Sequence, residues 1–204
     1  MEIKAKTNDV VTGGLITSPG STELVKATGL FEIECRDKDG NLKWFDASKN
    51  LVVAVGLQYM AGVALTSTTQ LTSFFIGVYG SGASNTPAYN DTMSSHAGWT
   101  EVTAYSESVR PTATFAAATL PGASSAPSIV TNTASKAQFT INGTTTVGGA
   151  FLVGGTAGGG AGNADTKNGT AGTLFSAADF SSPGDRSVVS GDILLVTYTF
   201  SLSP

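Results

Sequence analysis

The only histidine of this 204-residue chain, His96, directly follows Ser94 and Ser95. In a hydrolase that pairing would supply a hydroxyl nucleophile and an imidazole base. Acyl transfer also needs a third group to orient the base, and commonly a strained Gly-x-Ser-x-Gly elbow under the serine. No such elbow surrounds Ser94 or Ser95, and His96 falls in a polar loop beside Gly98. No catalytic residue is assigned, and the chain is not read as an enzyme. With one His and one Cys, a metal site would have to be built from oxygen ligands alone. The carboxylates Asp165, Asp179, Asp185 and Asp192 are expected in separate turns, so no metal site is assigned.

Two further segments imitate ligand loops. Asp37-Lys38-Asp39-Gly40-Asn41 begins like a calcium loop, but an EF-hand needs Gly at its sixth position and Glu at its twelfth. Leu42 and Ser48 stand there, so the run reads as a hairpin turn. The glycine-rich stretch 154–162 lacks the closing Gly-Lys-Ser/Thr of a phosphate loop and is followed by Asn163-Ala164-Asp165. It reads as a flexible hairpin loop, and no cofactor is expected. Cys35 shares a strand face with Phe31 and Ile33, which makes it a buried structural thiol. Trp99 is expected in the core and Tyr89 exposed in a loop. Pro111 biases Arg110 away from the helical region, and the guanidinium can tie down a loop or carboxylate.

The elements that must position these groups are mostly strands. Charged residues make up 13% of the chain, about half the share usual in soluble domains. Together with abundant Gly, Ser and Thr, this suits equally a protein whose surface largely contacts other protein and an ordinary β-sandwich with Gly/Ser-rich loops. The net charge of −4 offers no long-range attraction to phosphate backbones, so nucleic acid is not an expected partner. No window of 18 or more apolar residues is present, so no membrane partner is expected, and the N-terminus lacks a signal-peptide pattern.

Residues 1–29 show no sustained period and read as an extended N-terminal arm, either a tail or a strap onto a neighbouring subunit. Residues 30–204 read as one β domain. Leu30–Arg36 and Leu42–Phe45 alternate around the Asp37–Asn41 turn and form a hairpin. Leu51, Val52, Val55, Tyr59, Met60 and Val63 recur at three- and four-residue steps, predicting one short α-helix at about 49–65, capped by Ser48 or Asn50. Strands are expected at 72–79, 99–105, 112–119, 128–131, 136–142, 146–153, 172–176, 186–189 and 193–202. The last is apolar on both faces at its start and belongs at the centre of a sheet. The fold class is mainly β, an antiparallel β-sandwich or jelly-roll with one helix.

Several runs resemble small virion proteins of tailed bacteriophages. They are Asn50-Leu51-Val52, Phe75–Tyr79, the stretch from Ala88 to Glu101, Tyr105-Ser106-Glu107 with Arg110-Pro111, and Ala134–Asn142. Gly148–Leu152, Gly172–Ser176 and Ser190-Gly191-Asp192 complete the set. The resemblance spans roughly residues 48–202 and omits the arm. It implies a capsid decoration (cement) subunit, with the major capsid protein and further copies of itself, as dimer or trimer, for partners. The implied location is the virion, assembled in the host cytoplasm. A neck, tail or fibre component, or a host-glycan-binding module, is the alternative. It supplies no catalytic residue.

Overall fold

A computed structural model describes residues 25–80, 86–122, 126–180 and 184–203. Alternation builds the first sheet. β1 (Lys26–Arg36) points Phe31, Ile33 and Cys35 inward, and β2 (Leu42–Lys49) returns antiparallel to it. Asp37 closes the turn between them by accepting the N–H groups of Asp39 and Asn41, each at 2.9 Å. β12 (Ile193–Ser203) pairs with β1 on one side. On its other side it pairs with β6 (Ser128–Thr131) and β7 (Ala137–Thr140), which places it at the centre as its composition predicts. The gap between β6 and β7 is bridged by the buried amide of Asn132, which accepts Tyr198 N–H at 2.6 Å and donates to Val196 O at 3.2 Å.

The second sheet runs in the order β3 (Leu51–Val52), β10 (Thr173–Asp179), β9 (Gly149–Gly154), β4 (Phe74–Gly80) and β5 (Thr100–Glu101). A ribbon of β8 (Thr145–Val147) and β11 (Arg186–Val188) stands apart. The chain is mainly β and its sheets are antiparallel, as expected of a β-sandwich. Among the described residues α1 (Ala54–Leu65) is the only helix.

The two sheets enclose one core, where Phe31, Ile33, Val196 and Tyr198 meet Ile76, Val78, Leu152 and Phe175. The second sheet is apolar on its other face as well. There Phe75, Tyr79, Phe151, Val153 and Leu174 pack beneath Met93, Trp99 and Ala164, which come from two long loops. β9 is buried along its whole length because it is covered on both faces. On the outer face, aromatic rings lie across glycines of the neighbouring strand. Gly77 opposes Phe151 and Gly149 opposes Tyr79, and a Cβ on either glycine would stand 2.1 Å from the facing ring.

Several expected boundaries shift, each because pairing partners rather than local pattern set the element's extent. Residues 26–29, read as part of the arm, are strand, since β12 is long enough to pair Lys26 with Ser203. The rest of the arm, residues 1–24, lies outside the described residues. The helix begins at Ala54 rather than near 49, because Leu51 and Val52 pair with Ala177 and Ser176 of β10. Neither Ser48 nor Asn50 caps it. Ala54 N–H is taken by the Tyr89 carbonyl at 2.8 Å, and Asn50 donates to the Tyr198 hydroxyl instead.

Three segments change sheets, which explains why two expected strands are short or unnamed. Residues 42–52 run along β1 as β2 and then along β10 as β3. Residues 100–106 leave β4, with Val102 N–H on Val78 O, and reach β7, with Ser106 N–H on Thr140 O. Residues 112–119 start beside Phe74 and Phe75 and end on β6, where Ala116 N–H meets Thr131 O and Thr119 N–H meets Ile129 O. Such corner strands tie the two layers at their edges. The expected strand at 146–153 is split at Gly148 into β8 and β9.

Candidate functional site

The rare residues gather in the loop layer over the second sheet, built from 86–111 and 155–172. Trp99 is buried, 5.0 Å from the rings of both Tyr79 and Phe151. Its indole N–H donates to Asp91 Oδ2 at 3.2 Å, and the same oxygen accepts Ala88 N–H at 2.9 Å. His96 stacks on the outside of Trp99, with centroids 3.8 Å apart and planes 16° from parallel. Its Nδ1 lies 3.1 Å from the Trp99 carbonyl, an acceptor, so the contact requires the proton on Nδ1. The neighbouring carboxylate that could have oriented the imidazole, Asp91, is engaged by Trp99. Ser94 and Ser95 are exposed. Ser94 Oγ lies 3.2 Å from Thr92 Oγ1, and Ser95 closes a main-chain turn with Thr92. The serine–histidine neighbours in sequence therefore do not form a nucleophile–base pair in space.

Arg110 holds the layer together. It is 1% exposed, and its side chain makes four hydrogen bonds. Nε and Nη2 grip Glu101 in a two-point pair at 2.8 and 2.6 Å. Nη1 donates to Ala164 O at 2.6 Å and Nη2 to Gly169 O at 2.9 Å. Glu101 also accepts Asn168 N–H at 2.6 Å. A guanidinium fork suits this task because its donors lie in one plane with fixed spacing. Sequence reasoning anticipated that Arg110 ties a loop or carboxylate. It missed which one, because Glu101 and the 164–169 segment are brought to Arg110 only by the corner strand and the β9–β10 connection.

The glycine-rich segment is a hairpin connection as expected, but it is anchored. Buried Asp165 accepts Gly158 N–H at 2.8 Å and Gly159 N–H at 3.0 Å, and Gly159 takes a φ of 68°. A glycine adopts that left-handed conformation without steric cost, so its amide can turn inward onto the carboxylate. Amide groups that in a phosphate loop would face a ligand here face the protein's own Asp165. Lys167 donates to Tyr105 O at 2.7 Å, with its ammonium 3.8 Å from the Tyr105 ring centre. Burial lowers the Lys167 pKa.

The other candidates are dispersed. Cys35 is fully buried, and burial pushes its thiol up to about 11, which disfavours the reactive thiolate. Asp192 accepts Lys43 Nζ at 2.5 Å and Val189 N–H at 2.9 Å; that hydrogen bond raises the Lys43 pKa. Asp179 ends β10 rather than sitting in a turn, and burial raises its pKa. Among the described residues, no three His, Cys, Asp or Glu side chains come together as a metal site. An open cleft of about 430 Å³ lies between Ser94, Ser95, His96, Asn168 and Thr170, with Glu101 at its wall.

A different surface stands out by lacking such groups. α1, AVGLQYMAGVAL, carries no charged residue, and Gly56 alone is fully buried in it. Leu57, Gln58, Ala61, Ala64 and Leu65 face outward, with Leu65 86% exposed. Tyr89 is exposed, as expected, and its carbonyl sits on the first turn of the helix. Leu51, three residues before the helix, is exposed too. A surface helix ordinarily turns charge toward water, and one that is apolar all round is ordinarily covered.

Comparison with known protein families, characterised proteins and solved structures returned no match to this chain.

Proposed function

We propose that this chain is a structural subunit of a tailed-phage particle, a decoration or cement protein that self-associates and bridges adjacent subunits of the major capsid protein. The observation that carries the reading is the uncharged, outward-facing α1 with Leu51 and Tyr89 at its start, an apolar surface of the kind that marks protein contacts. The loop layer supports it from the other side, since Asp91, Glu101, Arg110 and Asp165 are engaged with the protein itself. The mechanism is mechanical. A sandwich tied at its edges by corner strands transmits load, and attachment at several points multiplies weak contacts.

Imaging of phage particles carrying a tagged copy tests this. Label over the whole shell supports decoration, and label at one vertex supports the neck or tail alternative. Particles without label would overturn both. A glycan-binding role is favoured by one feature, the cleft beside His96 with its Ser94, Ser95, Asn168 and Thr170 lining. Binding on a glycan array that Asn168→Ala abolishes would select that reading instead.

A further inference from the structure

We propose that Asn142, in the connection between β7 and β8, is a self-modifying site whose side-chain amide is attacked by the main-chain nitrogen of Gly143. The residue is thereby converted to aspartate and isoaspartate, whatever the role of the chain in a particle. Two Asn-Gly pairs occur in the sequence, Asn142-Gly143 and Asn168-Gly169. A glycine after asparagine has no Cβ to shield its nitrogen or restrict its backbone. Both pairs are therefore candidates by type, and the fold separates them.

Water is the one outside reagent. The Gly143 nitrogen gives up its proton and bonds to Cγ of Asn142, while the Cγ–Nδ2 bond breaks and ammonia leaves. The product is a five-membered succinimide. Water that opens it at the side-chain carbonyl leaves an ordinary aspartate. Water that opens it at the main-chain carbonyl leaves isoaspartate, with the backbone routed through Cβ and Cγ. No electrons are exchanged with another group. The attack requires a nitrogen free of hydrogen bonds, a side chain free to swing onto it, and a backbone able to move between them.

Asn142-Gly143 meets these requirements. Asn142 is exposed, and neither its side-chain amide nor the Gly143 N–H has a hydrogen-bond partner among the described residues. The Asn142 main-chain N–H is held by Ala104 O at 3.1 Å, upstream of the reacting nitrogen. A Cβ on Gly143 would meet only the Ala104 Cβ, at 3.6 Å, and Gly143 does not take a positive φ. The fold therefore leaves open space around this nitrogen and does not itself demand glycine.

Asn168-Gly169 is clamped instead. Gly169 N–H donates to Thr166 O at 3.0 Å, which engages the nitrogen that would attack. Asn168 N–H donates to Glu101 at 2.6 Å, and Gly169 O accepts Arg110 Nη2 at 2.9 Å, so the pair is pinned on both sides. Asn168 is also held at a φ of 54°, the one non-glycine residue at positive φ among the described residues. The Arg110–Glu101 pair that ties the loop layer thus also protects Asn168.

Conversion at Asn142 adds a negative charge, and isoaspartate adds a backbone carbon where the 100–106 corner strand meets β7. The test holds folded full-length protein warm at mildly alkaline pH and quantifies both Asn-Gly peptides by mass spectrometry, with isoaspartate identified by methyltransferase labelling. Asn142 should convert at least about tenfold faster than Asn168, a barrier difference of roughly 1.4 kcal/mol. In urea the two rates should converge, and the Asn142 rate should rise with pH because the attacking nitrogen reacts without its proton. Gly143→Ala, which the open space admits, should slow conversion at Asn142 by at least about tenfold and leave Asn168 unchanged. Equal rates at the two sites in the folded protein would overturn the proposal. So would an Asn142 that stays intact under conditions where the unfolded chain reacts, or a Gly143→Ala variant that converts as fast as the parent.

Discussion

The loop layer and α1 lie on the same molecule and invert each other's chemistry. The layer collects the lone histidine, a tryptophan, and the buried Arg110–Glu101 pair, and ties them to one another. α1 has no charged residue and turns leucines and alanines outward. A conspicuous residue type is thus a poor guide to the working surface here. Polar groups under an apolar roof need partners, and meeting that need engages them. A helix without charged groups has no such internal use for its outer face, so its stripe remains available.

Removing the cation tests the layer hardest. Arg110→Met should destabilise the fold by about 3–5 kcal/mol in urea unfolding, because Glu101 is left buried without its partner. Arg110→Met with Glu101→Leu should recover much of that loss. A single-variant cost below about 1 kcal/mol would show that the pair does not hold the layer.

A smaller loss is expected beneath it. Gly77→Ala places a methyl group against the Phe151 ring, 2.1 Å from where its Cβ would sit. The forced shift should cost about 1–3 kcal/mol. An unchanged melting midpoint would mean that the aromatic layer is loosely seated.

Tyrosine hydroxyls probe satisfaction directly. The buried hydroxyls of Tyr79 and Tyr105 have no hydrogen-bond partner among the described residues, and burial raises both pKa values. Tyr79→Phe and Tyr105→Phe should therefore be neutral or stabilising by up to about 1 kcal/mol. A clear loss from either would reveal a bond that these hydroxyls make.

The smallest effect is expected on α1. Leu57→Ser and Leu65→Ser should change the stability of the isolated subunit by no more than about 0.5 kcal/mol, because both side chains already face solvent. Chemical denaturation at low protein concentration measures this. A loss approaching that of Gly77→Ala would mean the stripe is packed within the subunit, and the contrast between the two regions would fall.

Much of the fold was legible from residue pattern. Alternation marked β1, β2 and β12, and the apolar run at 193–196 placed β12 centrally, because a strand covered on both faces shows little polar alternation. The turn at Asp37–Asn41 was legible from its Asx chemistry. The corner strands were not. Residues 100–106 and 112–119 carry strand-like composition, yet each divides its hydrogen bonds between two sheets, and nothing local tells a chain which ladder it will join. The same holds for Leu51-Val52, whose periodicity fits a helix while pairing with β10 makes it strand.

For the site, the sequence alone determined the inventory: one His, one Cys, sparse carboxylates, an Arg-Pro corner, and a helix without charge. It also determined that Trp99 would be buried and Tyr89 exposed, since side-chain size and loop context govern both. Tertiary structure decided the partners. Glu101 meets Arg110 because a strand changes sheets, and Asp165 meets Gly158 and Gly159 because the β9–β10 connection folds back over the second sheet. Those contacts depend on long-range closure, whose geometry follows from the whole strand order and not from any single segment.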